Sequence, residues 1–233
     1  MLKEAEALRR HSRWQPAFRL IASRFPPIDL FERVADPADW EMLYALESLT
    51  NPRIRDEIGQ IQLVPVQERV SGPGASIIMA SFTHLHPSGS RFADAQAGAF
   101  YAAESLETAI AETRHHREQF LRATAEPPTE LELRCYLVDI AGEFHDLRGR
   151  RDEPAFAGAY APASYVQSQA FARELRQRGS NGICYDSVRR HSGQCIAVFR
   201  PRLISNVRQS RHLRYVWDGT QISTVYELKR LDL

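Results

Sequence analysis

The chain has 233 residues, 43% of them hydrophobic and 25% charged, with a formal net charge of +1 at pH 7. That length suffices for a real hydrophobic core in one large domain. The near-cancelled charge argues against a partner held by bulk electrostatics, duplex DNA above all. The opening MLKEAEALRRHSRW is charged and has no apolar signal-peptide core, and no apolar run reaches membrane-span length. The expectation is a cytoplasmic protein, bound to neither membrane nor nucleic acid, with Cys135, Cys184 and Cys195 as buried thiols in a reducing compartment.

In chain order, the first dozen residues read as a helical or frayed arm and residues 17–21 as a short strand stopped by Pro26 and Pro27. Asp36-Pro37 starts a helix carrying Trp40, Leu43, Tyr44 and Glu47, and a second short helix ends at Gly59. Residues 63–66 and 77–82 read as strands flanking a loop at Ser71-Gly72-Pro73-Gly74. Residues 1–80 thus form a mainly helical N-terminal lobe packed on 81–233 as one structural unit.

Residues 98–103 (GAFYAA) read as a strand, and Ser105 as the N-cap of a helix with Glu107 in its first turn. Thr108, Glu112, His116 and Gln119 share one side of that helix, and Glu112 and His116 are i, i+4 neighbours. ELRCYLVDI alternates as a half-buried strand, and Asp146 opens a polar loop that includes Arg148, Arg150 and Arg151. Residues 165–178 form a helix closed by Gly179. Residues 182–188 and 195–199 form a hairpin turned at Ser192-Gly193, and LRYVW and TVYEL add two strands. Many short strands with few interleaved helices predict an α+β fold with a mostly antiparallel sheet.

Three stretches are richer in polar groups than packing requires: residues 89–94, Tyr101 with Glu112, and residues 185–189. If Tyr101 ends a strand and Glu112 lies on the following helix, both reach one cleft with Arg91. Such a cleft suits NAD⁺. The arginine pairs with pyrophosphate or carboxamide oxygens, and the tyrosine ring stacks on nicotinamide. The carboxylate steadies the oxocarbenium-like charge formed at ribose C1 as nicotinamide leaves. Each residue also has a plain reading: a solvated arginine, a core tyrosine, a surface glutamate paired with Arg114 or Arg117, and Ser187 as a strand-end hydroxyl.

His84 and His86 share a face if extended, but no nearby Cys or carboxylate cluster completes a ligand set, so no metal is expected. No GxGxxG or Walker-type loop is present. Ser187 lacks the Gly-x-Ser-x-Gly context of a hydrolase nucleophile.

GSRFADAQAGAFYAAESLETAIAETRHH and GSNGICYDSVRRHSGQCIAVFRP resemble the two signature stretches of the RES-domain family, and RLIASRFPPIDLFERV resembles the opening of its longer members. The resemblance covers nearly the whole chain. The Arg, Glu and Ser that name the family fall on Arg91, Glu112 and Ser187, and its site tyrosine on Tyr101. It implies a compact fold similar to ADP-ribosyltransferases and a toxin that hydrolyses or phosphorolyses NAD⁺ or transfers ADP-ribose to a protein. NAD⁺ is then a substrate, and no further cofactor is implied. It also implies a neutralising Xre-like antitoxin with a DNA-binding domain. Arg19, His116, Ser168 and Gln169 join as substrate-binding residues. Whether Ser168 or Ser187 touches substrate stays open, as does the acceptor. Ala95-Gln96-Ala97 departs from the pattern, since many relatives carry a second Gly there; the loop's path is thereby put in question. A non-catalytic module holding NAD⁺ or a protein in the same cleft is the alternative.

Overall fold

The computed structural model describes residues 2–23, 59–229 and 231. The helices expected between residues 36 and 59 lie outside the described residues, apart from Gly59. The elements are α1 (Leu2–Glu6), β1 (Arg9–Ala22), α2 (Ala75–Thr83), β2 (Phe100–Ala103), α3 (Leu106–Ala123), β3 (Thr129–Asp146), α4 (Val166–Gln177), β4 (Gly182–Asp186), β5 (Gln194–Val198), β6 (Ile204–Trp217) and β7 (Ile222–Leu228). Short 3-10 segments include Ile61–Leu63, Val66–Glu68 and Pro154–Ala159.

The strands form one sheet in the order β1-β2-β5-β4-β3-β6-β7, and β1 also pairs with β3. All pairings are antiparallel except the short β3–β4 contact at His145↔Ile183 and Asp146↔Cys184. The expected α+β class with a mainly antiparallel sheet is therefore observed. Because β1 touches β2 at Phe18↔Ala103 and runs along β3 from Arg9↔His145 to Ala22↔Leu133, the first five strands of that order close on themselves. β6 and β7 extend outward from β3. The N-terminal residues thus contribute a strand woven into the sheet, far longer than the expected 17–21 stretch. Pro16, which has no ladder donor to give, falls where the β1 register shifts between Trp14 and Ala17.

Side-chain alternation sorts the core. On β4, Cys184 joins a cluster with Phe100, Val138, Ile196, Val198 and the α2 residues Ile78, Met79 and Phe82. Its neighbours Ile183 and Tyr185 face the opposite cluster, with Cys195, Ala197 and the α4 residues Phe171, Ala172 and Leu175. A third cluster joins Leu121 of α3 to Leu133, Leu213, Tyr215 and Trp217. Two-sided burial explains why β4 and β5 read as continuous apolar runs.

Residues 77–82, expected as a strand, belong to the helix α2. A short apolar run carries no period that separates helix from strand. Here Gly74, at φ +81°, starts the helix, and a Cβ on it would fall 2.4 Å from Val207 Cβ. The other expected strand, 63–66, is part of two 3-10 turns. Its Val64 carbonyl takes a hydrogen bond from buried Arg69 Nε (2.9 Å) instead of a ladder partner. The expected α3, α4 and β4–β5 hairpin are all present. Ser105 Oγ accepts from Thr108 N, and Gly179 at φ +76° follows α4. Among the described residues no helix is long and apolar enough to cross a membrane.

Candidate active site

A cavity of about 600 Å³ opens between the β1–β2 edge, the loop at residues 88–91 and one face of α3. Its size falls within the usual range for small-molecule sites. Its walls include Arg19 from β1, Arg91 from the loop, Tyr101 from β2, and Glu112 and His116 from α3. The structure thus brings together five of the eight expected site residues. The helix supplies Ala109, Glu112, Thr113, His116 and Phe120, the spacing that puts side chains on one face.

Glu112 Oε1 accepts a hydrogen bond from Ser187 Oγ at 2.6 Å and a weaker one from Cys195 Sγ at 3.9 Å. Ser187 is 2% exposed and is not itself a cavity residue. Its oxygen accepts from the amides of Arg189 (3.1 Å) and Arg190 (3.0 Å) in the β4–β5 turn. Ser187 therefore reaches the cavity through Glu112. The Cys195 thiol is pushed well up by burial and by Glu112, and the Tyr185 phenol by burial, Cys195 and Glu112. Both are neutral at pH 7, and of the two Cys195 donates to Glu112.

Arg91 is buried, and its Nη1 donates to the Ala159 and Ala161 carbonyls at 3.0 and 2.9 Å. The guanidinium carbon lies 5.0 Å from the Tyr165 ring centre. Among the described residues its Nε and Nη2 make no hydrogen bond, which leaves them for a ligand anion. Arg19 is more committed. Nη1 donates to Tyr101 O and Nη2 to Ser81 Oγ, both at 2.9 Å, and the group sits 4.3 Å above the Phe100 ring. Burial lowers its pKa to about 10, against a raising effect of Tyr101, so it remains cationic. Among the described residues its buried Nε has no hydrogen-bond partner.

The Tyr101 hydroxyl is engaged with Ser90 Oγ and accepts from Phe92 N, each at 2.8 Å, and burial raises its pKa. The ring lines the cavity while the hydroxyl pins the Arg91 loop. His116, an exposed residue of α3, also lines the cavity. Desolvation, then Arg189, Arg91 and Arg117, lower its pKa to about 4, so it is a neutral imidazole at pH 7.

Two expected substrate contacts are not in the cavity wall. Ser168 is fully buried, and its Oγ donates to the Tyr165 carbonyl at 3.1 Å, closing the first turn of α4. Gln169 Nε2 donates to the carbonyls of Ser88 and Ser90, both at 3.0 Å, so it grips the loop from behind. Of the two serines left open by sequence, Ser187 is the one joined to Glu112.

Tyr165 and Cys195 are cavity residues that sequence reasoning did not assign to the site, and Ser90 joins them from the polar stretch 89–94. Only Ser90, beside Arg91, had a signal. Of the pair His84 and His86, only His86 lines the cavity. Among the described residues no group of three or more His, Cys, Asp or Glu stands close enough to hold a metal. The loop lacking a second Gly turns without one. Asp94 Oδ1 accepts from the amides of Gln96 (2.9 Å) and Ala97 (3.1 Å), and none of residues 95–97 has positive φ.

A sequence model of the RES domain matches residues 67–218. The uncharacterized protein y4oC of Sinorhizobium fredii (strain NBRC 101917 / NGR234) is 32% identical over 209 residues, covering 90% of this chain and 86% of that protein. The crystal structure of the M. tuberculosis MbcT–MbcA toxin–antitoxin complex contains a chain that aligns with 94% of this one and 92% of its own length, at 10% identity and a TM-score of 0.49. By the extent of the domain match and the identity to its relative, the chain belongs to the RES-domain family.

Proposed function

We propose that this protein is a RES-type toxin that cleaves the nicotinamide–ribose bond of NAD⁺. The observation that carries the reading is Glu112, a carboxylate held by Ser187 at 2.6 Å in the wall of a dinucleotide-sized cavity that also holds Arg91 and Tyr101. Loss of nicotinamide leaves positive charge on the ribose ring, and a fixed carboxylate stabilises that charge without reorganising. The free donors of Arg91 suit a pyrophosphate or carboxamide oxygen. Tyr101 offers a ring face for nicotinamide, and neutral His116 and buried Arg19 complete the binding wall. The acceptor at C1 is phosphate, water or a protein side chain.

The proposal extends to cellular context. The enzyme acts in the cytoplasm, where NAD⁺ is abundant, and an Xre-like antitoxin with a DNA-binding domain neutralises it by covering the cleft. Incubating the purified protein with NAD⁺ and separating the products tests the chemistry. Free nicotinamide is expected, and its partner product names the acceptor: ADP-ribose for water, a phosphorylated ADP-ribose for phosphate, a modified polypeptide for transfer. Binding of NAD⁺ with no nicotinamide release would instead identify a non-catalytic binding module.

A further inference from the structure

We propose that Gln169, Arg173 and Arg176 on α4 are positioning residues that set the affinity of the cleft by fixing the loop that carries Arg91. The proposal rests on the reading of the cleft as an NAD⁺ site. The three residues follow one another along a single side of the helix. Gln169 Nε2 donates to Ser88 O and Ser90 O, both at 3.0 Å. Arg173 donates from Nε (3.0 Å) and Nη2 (2.8 Å) to Asp94 Oδ2. Arg176 Nη2 donates to Phe92 O (3.1 Å) and Gly98 O (2.9 Å). The six bonds engage the loop on both sides of Arg91.

The loop has little order of its own to substitute for them. Residues 84–99 contain no helix or strand, and the one bridge there joins Ser90 to Ala93. The His86 and Ala93 carbonyls accept from amides within the loop, at 2.8 and 2.7 Å, whereas those of Ser88, Phe92 and Gly98 take their partners from α4. The approach is close. A Cβ on Gly89 would fall 2.2 Å from Ala93 O and 2.7 Å from Gln169 Nε2, so the glycine lets the loop backbone lie against this side chain. Packing of α4 is handled elsewhere, by Phe171, Ala172 and Leu175 in the core. None of the three polar residues lines the cavity, so an effect on substrate must pass through the loop. Arg176 has a second anchor, its guanidinium carbon 3.6 Å from the Phe199 ring centre.

The test uses the full chain with Gln169→Leu and Arg176→Met, which keep side-chain bulk and remove donors, and Glu174→Ala as a control on the exposed side of α4. Two readouts are taken: hydrogen exchange at the amides of Phe92, Gln96 and Ala97, and the KM and kcat for NAD⁺. The expected result is roughly ten-fold faster exchange at those amides and a KM raised about ten-fold, with kcat within about two-fold of wild type. Glu174→Ala is expected to change neither. Unchanged exchange overturns the proposal. So does a lowered melting temperature with unchanged KM, because that is stability alone. Should the wild-type protein neither bind nor consume NAD⁺, the proposed function falls, and the exchange data still decide whether α4 orders the loop.

Discussion

Ser187 Oγ donates a hydrogen bond to Glu112 Oε1 across 2.6 Å, and the surrounding bonds leave its proton no other direction. Both acceptor positions of the serine oxygen are filled by the amides of Arg189 and Arg190. A single hydroxyl thus caps the β4–β5 turn and orients a carboxylate on α3, two elements far apart in sequence. Charge-assisted bonds of this kind are short and geometrically demanding.

From this follows an order of severity. Glu112→Gln removes the charge while keeping the shape, and nicotinamide release is expected to fall by more than about 100-fold with the fold intact. Ser187→Ala leaves the carboxylate in place but free to turn. Its turnover is expected to lie between those of Glu112→Gln and wild type, with about 1 kcal/mol of stability lost because two partly buried amides lose their acceptor. Nicotinamide release and urea unfolding check both. Wild-type turnover in Ser187→Ala would remove the serine from the mechanism.

The parts of this arrangement were unequally legible in the sequence. The α3 boundary was readable because Ser105 is a strong N-cap, and the Glu112–His116 face because helical spacing is local. The β4–β5 hairpin was readable from two apolar runs around Ser192-Gly193. The helical state of α2 was not, since Ile77, Ile78 and Met79 are apolar in succession and any period fits. The roles of Ser168 and Gln169 were not legible either. A polar residue at the start of a helix looks alike whether it faces a ligand, its own backbone or a neighbouring loop, and only the packing of α4 decides. Tyr165 joined the site because Arg91 reaches across to its ring, a contact with no sequence signal.

Stability should depend on pH through His115 and His116, both lowered by burial and by nearby Arg189 to about 4. Between about pH 4 and the ordinary histidine value of 6.5 the unfolded chain binds more protons than the folded one. Their contribution is complete above the unfolded value and is lost as pH falls toward 4. Melting temperature is expected to drop progressively on acidification through that window. The carboxylates of Asp94 and Glu118, held below their ordinary values, act at and below its acid end. His116→Asn is expected to flatten the upper part of the decline. A pH profile identical to wild type in that variant would contradict a neutral, charge-crowded His116.

Arg91→Lys separates charge from shape. Lysine keeps the positive charge, but one ammonium cannot hold the Ala159 and Ala161 carbonyls and also present two free donors to a ligand. The expected outcome is a KM for NAD⁺ raised about ten-fold or more with a smaller change in kcat, since binding is lost more than transition-state charge stabilisation. Steady-state kinetics decide it. A kcat loss as large as that of Glu112→Gln with unchanged KM would move Arg91 from binding to chemistry.

Gly89→Ala probes the same loop from its backbone. Gly89 has φ +65°, and an added Cβ would stand 2.2 Å from Ala93 O and 2.7 Å from Gln169 Nε2. Relief requires moving the Ala93 carbonyl, which opens the Ser90–Ala93 bridge, and shifting the end of the α4 glutamine as well. Gly149→Ala supplies the comparison, because Gly149 also has positive φ, +75°, but among the described residues no atom beyond its chain neighbours lies within 4 Å of its Cβ position. Gly149→Ala is expected to cost about 1 kcal/mol from backbone strain alone. Gly89→Ala should cost more, about 2–4 kcal/mol when contact is added to strain, and should also raise the KM for NAD⁺. Chemical unfolding gives the first quantity and kinetics the second. If both alanine variants lose equal stability and neither alters KM, the close contact between loop and α4 contributes nothing to holding Arg91 in place.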